Sequence, residues 1–162
     1  MEIKGKTIII TGGASGLGAA TAKYLQGLGA KIGIFDMSQE AGDALVKELG
    51  ASNAMFCNVD VTDDKGVDEA VDAVVAKFGA LHGCINCAGV VSPMKVIDRD
   101  GKAASLDSFR RTVDINLVGT FNVMSKSVQR MLRNEPENGE ERGVVVNVSS
   151  GAAMEGQIGQ PA

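Results

Sequence analysis

The run Thr11-Gly12-Gly13-Ala14-Ser15-Gly16-Leu17-Gly18 follows the apolar stretch Thr7-Ile8-Ile9-Ile10 directly and precedes a helical pattern. A strand therefore passes into a helix through a tight glycine-rich bend. Gly12, Gly16 and Gly18 let the backbone turn sharply and let a pyrophosphate approach without a Cβ in the way. The helix that follows offers unpaired N–H groups and the positive end of its dipole. Strand-to-helix turns need glycine on their own account, so the pattern gains meaning from a second feature at the expected distance, Asp36.

Asp36 closes the next apolar run, Lys31-Ile32-Gly33-Ile34-Phe35. A carboxylate there can accept hydrogen bonds from the ribose hydroxyls of an adenine dinucleotide and would repel a 2′-phosphate. The glycine turn holds no Arg or Lys and Met37 follows the aspartate, so the pattern favours NAD over NADP. The competing reading is that Asp36 only caps a strand end.

At 162 residues, 44% hydrophobic and 22% charged, the chain is long enough to bury a core and too apolar to be disordered. It reads as a single domain, 1–162. A net charge of −4 argues against nucleic acid as a partner. The first residues run straight into a strand and no apolar stretch approaches membrane-spanning length, so the expectation is a cytoplasmic protein with no membrane partner. Cys57, Cys84 and Cys87 are an odd count of thiols expected to be reduced. The Cys84-x-x-Cys87 spacing invites a zinc or redox reading, but there is no second pair, and His82 is the one histidine; no metal is expected. His82 reads as lying at the entry to a strand.

Strand-length apolar runs alternate with helical segments, the signature of an α/β fold with a doubly wound parallel sheet flanked by helices. The strands read as Thr7–Thr11, Lys31–Asp36, Ala54–Asn58, Gly83–Asn86 and residues 144–148. Helices are expected over 17–28, 39–49 and 64–78, each stopped by a glycine: Gly29, Gly50 and Gly79. Residues 106–132 read as two helices with a break near Asn116, apolar on more than one side. Residues 90–105 look irregular and would follow the fourth strand, at the sheet end where ligands bind. Residues 134–143 read as a charged connection at the opposite end.

Taken in order, Thr11-Gly12-x-x-x-Gly16-x-Gly18, Asp60-Val61, Asn86-Cys87-Ala88-Gly89, Asn116 within Val113-Asp114-Ile115-Asn116-Leu117, and Val146-Asn147-Val148-Ser149-Ser150 resemble the short-chain dehydrogenase/reductase family over essentially the whole chain. Gly119-Thr120-Phe121-Asn122-Val123, Asn134-Glu135-Pro136 and Glu155-Gly156-Gln157-Ile158-Gly159-Gln160 are similar to the type 2 3-hydroxyacyl-CoA dehydrogenases within it. The resemblance implies a Rossmann-type fold with NAD as cofactor. It places Ser15, Gly16 and Leu17 at the pyrophosphate, Asp36 at the adenosine ribose, and Asp60 and Val61 at the adenine. Cys87, Ala88 and Gly89 fall at the nicotinamide-side ribose, Cys87 standing where asparagine is commoner.

By the same resemblance, Ser150 hydrogen-bonds the substrate oxygen and Asn116 supports the proton relay; the family spacing selects Ser150 over Ser149. Gln157 and the 90–105 stretch are the local candidates for substrate contact. The family continues with Tyr-x-x-x-Lys just beyond Gly159-Gln160-Pro161-Ala162. The single tyrosine here, Tyr24, falls on the first helix at a packing position and does not substitute. The expectation is therefore that residues 1–162 hold the dinucleotide-binding half, with the C-terminal strands and helices missing. Taken alone they should be inactive, with an unpaired edge at 144–148 and exposed apolar surface. The resemblance further implies a small-molecule substrate, an acyl-CoA first and a hydroxysteroid or 3-oxoacyl carrier protein next, and a homodimer or homotetramer paired through the helix containing Asn116. The other class of function is a non-catalytic dinucleotide-binding module.

Overall fold

The computed structural model describes residues 2–137 and 139–162. Five strands, β1 (Thr7–Thr11), β2 (Lys31–Asp36), β3 (Ala54–Asn58), β4 (Gly83–Asn86) and β5 (Val144–Asn147), form one sheet in the order β3-β2-β1-β4-β5, every neighbouring pair parallel. The first four strands have the limits expected from the sequence. The fifth stops at Asn147, although the Val148 N–H still donates to the Asn86 carbonyl at 3.0 Å.

Alternation along the strands supplies two cores. Ile8, Ile10, Ile32 and Ile34 face Ala22 of α1 (Gly16–Gly27) and Leu45 and Leu49 of α2 (Gln39–Leu49). Ile9, Phe35 and Cys84 face Val67, Val71 and Val74 of α3 (Asp64–Phe78) and, further along the chain, Val123 and Met131. Covering both faces suits a parallel sheet, whose strands then read as continuous apolar runs. Each fully buried isoleucine or valine contributes about 1.5–3 kcal/mol of transfer free energy.

The long helical stretch departs from expectation. It runs as α4 (Leu106–Val113), a π-helical turn (Asp114–Gly119) and α5 (Thr120–Met131), with Val113, Gly119 and Thr120 all in right-handed helical geometry. A π turn takes in an additional residue without breaking the backbone ladder. The shift of apolar phase near Asn116 is thus a slip within one helix, where the sequence had read a break. The start is fixed by Ser105, whose Oγ accepts from the Ser108 N–H at 3.2 Å. A four-residue helix, α6 (Ala152–Glu155), was not anticipated.

α5 is fastened to α3 by Arg130, only 6% exposed, whose guanidinium meets Asp68 at 2.7 Å and Asp72 at 2.9 Å. The 134–143 segment does more than connect. Asn134 donates to the carbonyls of Leu81 (2.6 Å) and Arg142 (2.8 Å), and Glu137 pairs with Lys6, tying the segment to the starts of β1 and β4. The expected uncovered apolar surface is present: Val144 and Val146 on the edge strand, and Leu117 (66%) and Phe121 (62%) on the long helix, are exposed. Among the described residues, no helix is long and apolar enough to cross a membrane.

Candidate functional site

In the strand order β3-β2-β1-β4-β5 the winding direction reverses between β1 and β4. The loops leaving the carboxyl ends of these two strands therefore diverge to opposite faces and leave a crevice. Thr11 joins them: its Oγ1 accepts from the N–H groups of Cys87 (3.1 Å) and Ala88 (3.0 Å).

Gly12 has φ +60, and a Cβ built on it would lie 3.0 Å from the Ala88 backbone. At Gly18 a Cβ would come within 2.2 Å of the Gly12 carbonyl oxygen, so the turn closes on the first helical residues only because both positions lack side chains. The N-terminus of α1 is left open: Ser15 precedes it in extended geometry with no side-chain capping bond, and the first turn has no acidic residue. Ser15, Gly16 and Leu17 are exposed there, their helix-end donors available to an anion.

Asp36 sits half-buried at the end of β2. Oδ2 accepts from the Ala14 N–H and Oδ1 from the Ser38 N–H, both at 3.1 Å, which clamps the glycine turn to β2. Capping and ligand readings are compatible, because a carboxylate has about four lone-pair sites and these bonds use two of them. Beyond β3, Asp60 Oδ1 accepts from the Thr62 N–H (2.9 Å) and hydroxyl (2.8 Å). Val61 is buried against Gly119, and its carbonyl accepts from Asn122 Nδ2 at 2.9 Å.

A cleft of about 740 Å³ opens beside Leu17 and the Cys87–Ala88–Gly89 turn, and Asn116, Ser149 and Ser150 line its other side. Asn116 stands in the π-helical turn, its amide paired with the Val90 peptide. Ser150 is exposed, and its Oγ accepts from the Ala152 N–H at 3.2 Å at the start of α6. The strand leading to it is anchored by Asn86 Nδ2, which donates to Asn147 Oδ1 at 2.8 Å. Gln157 does not line the cleft; its Oε1 accepts from Gln160, which does. Tyr24 lies on α1 as expected but is 69% exposed instead of packed, and it is not part of the cleft.

The thiols stay protonated. Burial pushes Cys84 up to about 11 and, against a partly opposing Lys77 ammonium, Cys57 up to about 11; burial also raises Cys87. All three are free, and no cluster of metal-ligating side chains occurs among the described residues. His82 immediately precedes β4, its Nδ1 accepting from the Thr7 N–H at 3.2 Å.

Two side chains that organise the site escaped the sequence reading as functional: Thr11, which bridges the two diverging loops, and Asn122, which holds the loop after β3. A buried amide one residue before Val123, on the apolar face of a helix, was the available signal.

A parallel sheet with this reversal and a glycine turn opening on a helix define a Rossmann-like α/β fold. The short chain dehydrogenase family model matches residues 6–162, and the chain belongs to that family. Among proteins it resembles are the human 3-hydroxyacyl-CoA dehydrogenase type-2, 44% identical over 162 residues, and that of Drosophila melanogaster, 44% identical over 161. Each alignment covers 99% of this chain, and 62% and 63% of those proteins, so the chain spans about three-fifths of their length. A crystal structure of the 3-hydroxyacyl-CoA dehydrogenase type-2 from Mycobacterium avium superposes with a TM-score of 0.92 at 35% identity, over 99% of this chain and 63% of that one.

Proposed function

We propose that this chain supplies the NAD-binding part and two active-site side chains of an oxidoreductase that interconverts a secondary alcohol and a ketone, with a 3-hydroxyacyl-CoA and its 3-oxoacyl-CoA as the substrate pair. The observation that carries the reading is the Asp36 carboxylate, locked by Ala14 beside the open N-terminus of α1. It leaves two acceptor sites for ribose hydroxyls and places negative charge where a 2′-phosphate would fall.

The donors of Ser15, Gly16 and Leu17 would hold the pyrophosphate, with Gly12 and Gly18 making room. Asp60 and Val61 would flank the adenine, and Cys87, Ala88 and Gly89 the nicotinamide-side ribose. Bound nicotinamide supplies acceptance or return of a hydride. Because the Ser150 oxygen already accepts from Ala152, its hydroxyl proton is free to point at a substrate oxygen that gains negative charge, the arrangement that lowers such a barrier. Asn116 supports the proton path by fixing the wall at Val90, and the reading assigns the acid/base step to the Tyr-x-x-x-Lys pair of the family pattern. Gln157 reaches the substrate side only through Gln160. The exposed Leu117 and Phe121 are assigned to pairing in a homodimer or homotetramer, which a solution mass of the monomer alone would refute.

Titration of the full-length protein with NADH and NADPH tests the cofactor, and NAD reduction with 3-hydroxybutyryl-CoA tests the substrate. NADH should bind at least about tenfold more tightly, and Asp36→Ala should erase most of that difference. Tighter binding of NADPH would overturn the Asp36 reading. Binding without turnover of acyl-CoA, hydroxysteroid or acyl carrier protein substrates would favour the non-catalytic module.

A further inference from the structure

Asn122 and Lys126 lie one turn apart on α5, and both reach away from their own helix to the loop that follows β3. Asn122, 8% exposed, donates through Nδ2 to the carbonyls of Val61 (2.9 Å) and Asp63 (3.4 Å). Its Oδ1 accepts from the Lys126 ammonium. The same ammonium meets Asp64, the first residue of α3, at 2.6 Å. At its upstream end this loop is held by the Val59 N–H, which donates to the Asp36 carbonyl at 3.1 Å. Residues 60–63 are thus strung between the strand that carries Asp36 and a polar clip on α5. The Lys126 side chain is only 15% exposed, whereas that of Asp64 is 91% exposed.

We propose that Asn122 and Lys126 act as positioning residues for the adenosine half of the dinucleotide site, setting the height of Asp60 and Val61 against the end of β2. This rests on the reading of Asp60 and Val61 as the adenine contact. Two independent features favour a positioning role over general packing. The clip engages backbone carbonyls of the loop itself, and it spares the nicotinamide side, where Asn116 makes a separate attachment to Val90. An ammonium that donates to the amide oxygen polarises the amide and strengthens the donation of its N–H groups, the cooperativity expected of a chained network in a low-dielectric setting.

Because Asn122→Ala also empties a buried position, Lys126→Met is the primary variant: it keeps an apolar stem of similar length and removes the ammonium with its donations to Asn122 and Asp64. In the full-length protein, ADP-ribose affinity is measured by calorimetry alongside kcat and KM for NAD. Lys126→Met should weaken ADP-ribose about fivefold and raise KM for NAD by a similar factor, with kcat unchanged and Lys126→Arg restoring most of the affinity. Unchanged ADP-ribose affinity, or a fall in kcat equal to the rise in KM, would overturn the proposal. Failure of the unmutated protein to bind ADP-ribose would instead refute the dinucleotide reading on which it rests.

Discussion

Asn116 and Val90 form a closed amide pair: the asparagine Oδ1 accepts from the Val90 N–H at 2.8 Å and its Nδ2 donates to the Val90 carbonyl at 2.9 Å. A side chain in the π-helical turn thereby imitates a strand neighbour and holds the segment that leaves β4 against the helix. Asn116→Ala should cost about 1 kcal/mol of stability per bond lost, moderated by solvent at this exposed site. Asn116→Asp should be worse than its near-identical shape implies, since a carboxylate faces the Val90 carbonyl with no donor. Thermal denaturation compares the two, and the proposed turnover should fall at least about tenfold in both.

The glycine turn makes a sharper prediction. In Gly18→Ala the added methyl meets backbone atoms of Gly12 and Gly13 within 3 Å, none of which can move independently of the turn, so a loss of about 2–3 kcal/mol is expected. Gly27→Ala, at the far end of the same helix with nothing within 4 Å, should be neutral or stabilising by up to about 0.5 kcal/mol. Denaturant unfolding of the pair separates contact from helix propensity.

His82 predicts an acid-sensitive stability. Burial, helped by the Lys6 ammonium and partly opposed by the Glu137 carboxylate, holds its imidazole below the ordinary value of 6.5, and its Nδ1 must stay unprotonated to accept from Thr7. The unfolded chain binds that proton more readily. Stability from this site is therefore complete above the ordinary value, falls as pH drops through it, and levels off below the depressed folded value. The melting temperature should decline as pH falls through the ordinary histidine value, and His82→Asn, which keeps an acceptor at the same place, should flatten that slope.

Thiol chemistry should rank the three cysteines by burial. With Cys84 fully buried and pushed up to about 11, alkylation in the folded protein should be fastest at Cys87, which lines the cleft, slower at Cys57, and seen at Cys84 only on unfolding. NADH should slow labelling of Cys87. Peptide mass mapping after timed alkylation checks both statements.

Continuous apolar runs of strand length between glycine-stopped helices, as in Ile8-Ile9-Ile10 and Ile32-Gly33-Ile34-Phe35, were enough to place four strands and the helices between them. These signals are local, and backbone conformation answers to them directly. The reading failed where conformation depends on distant partners. The phase slip at Asn116 looks like a break in any window of sequence, because a π turn is stabilised by what the helix packs upon, here Val61 against Gly119. The 134–143 segment reads as a surface connection because its anchors, Lys6 and the Leu81 carbonyl, are remote in sequence.

The sequence alone determined the α/β class, the glycine turn, the aspartate at the end of β2 and the order of the family motifs, because each is written within a few neighbouring residues. Only the tertiary structure decided that Thr11 ties the two diverging loops, that Asn116 spends its amide on Val90, that Gln160 and not Gln157 reaches the cleft, and that Asn122 holds the loop of Asp60. Those contacts join positions separated by up to 77 residues, and a hydrogen bond across such a span exists only once the sheet has fixed where its two ends meet.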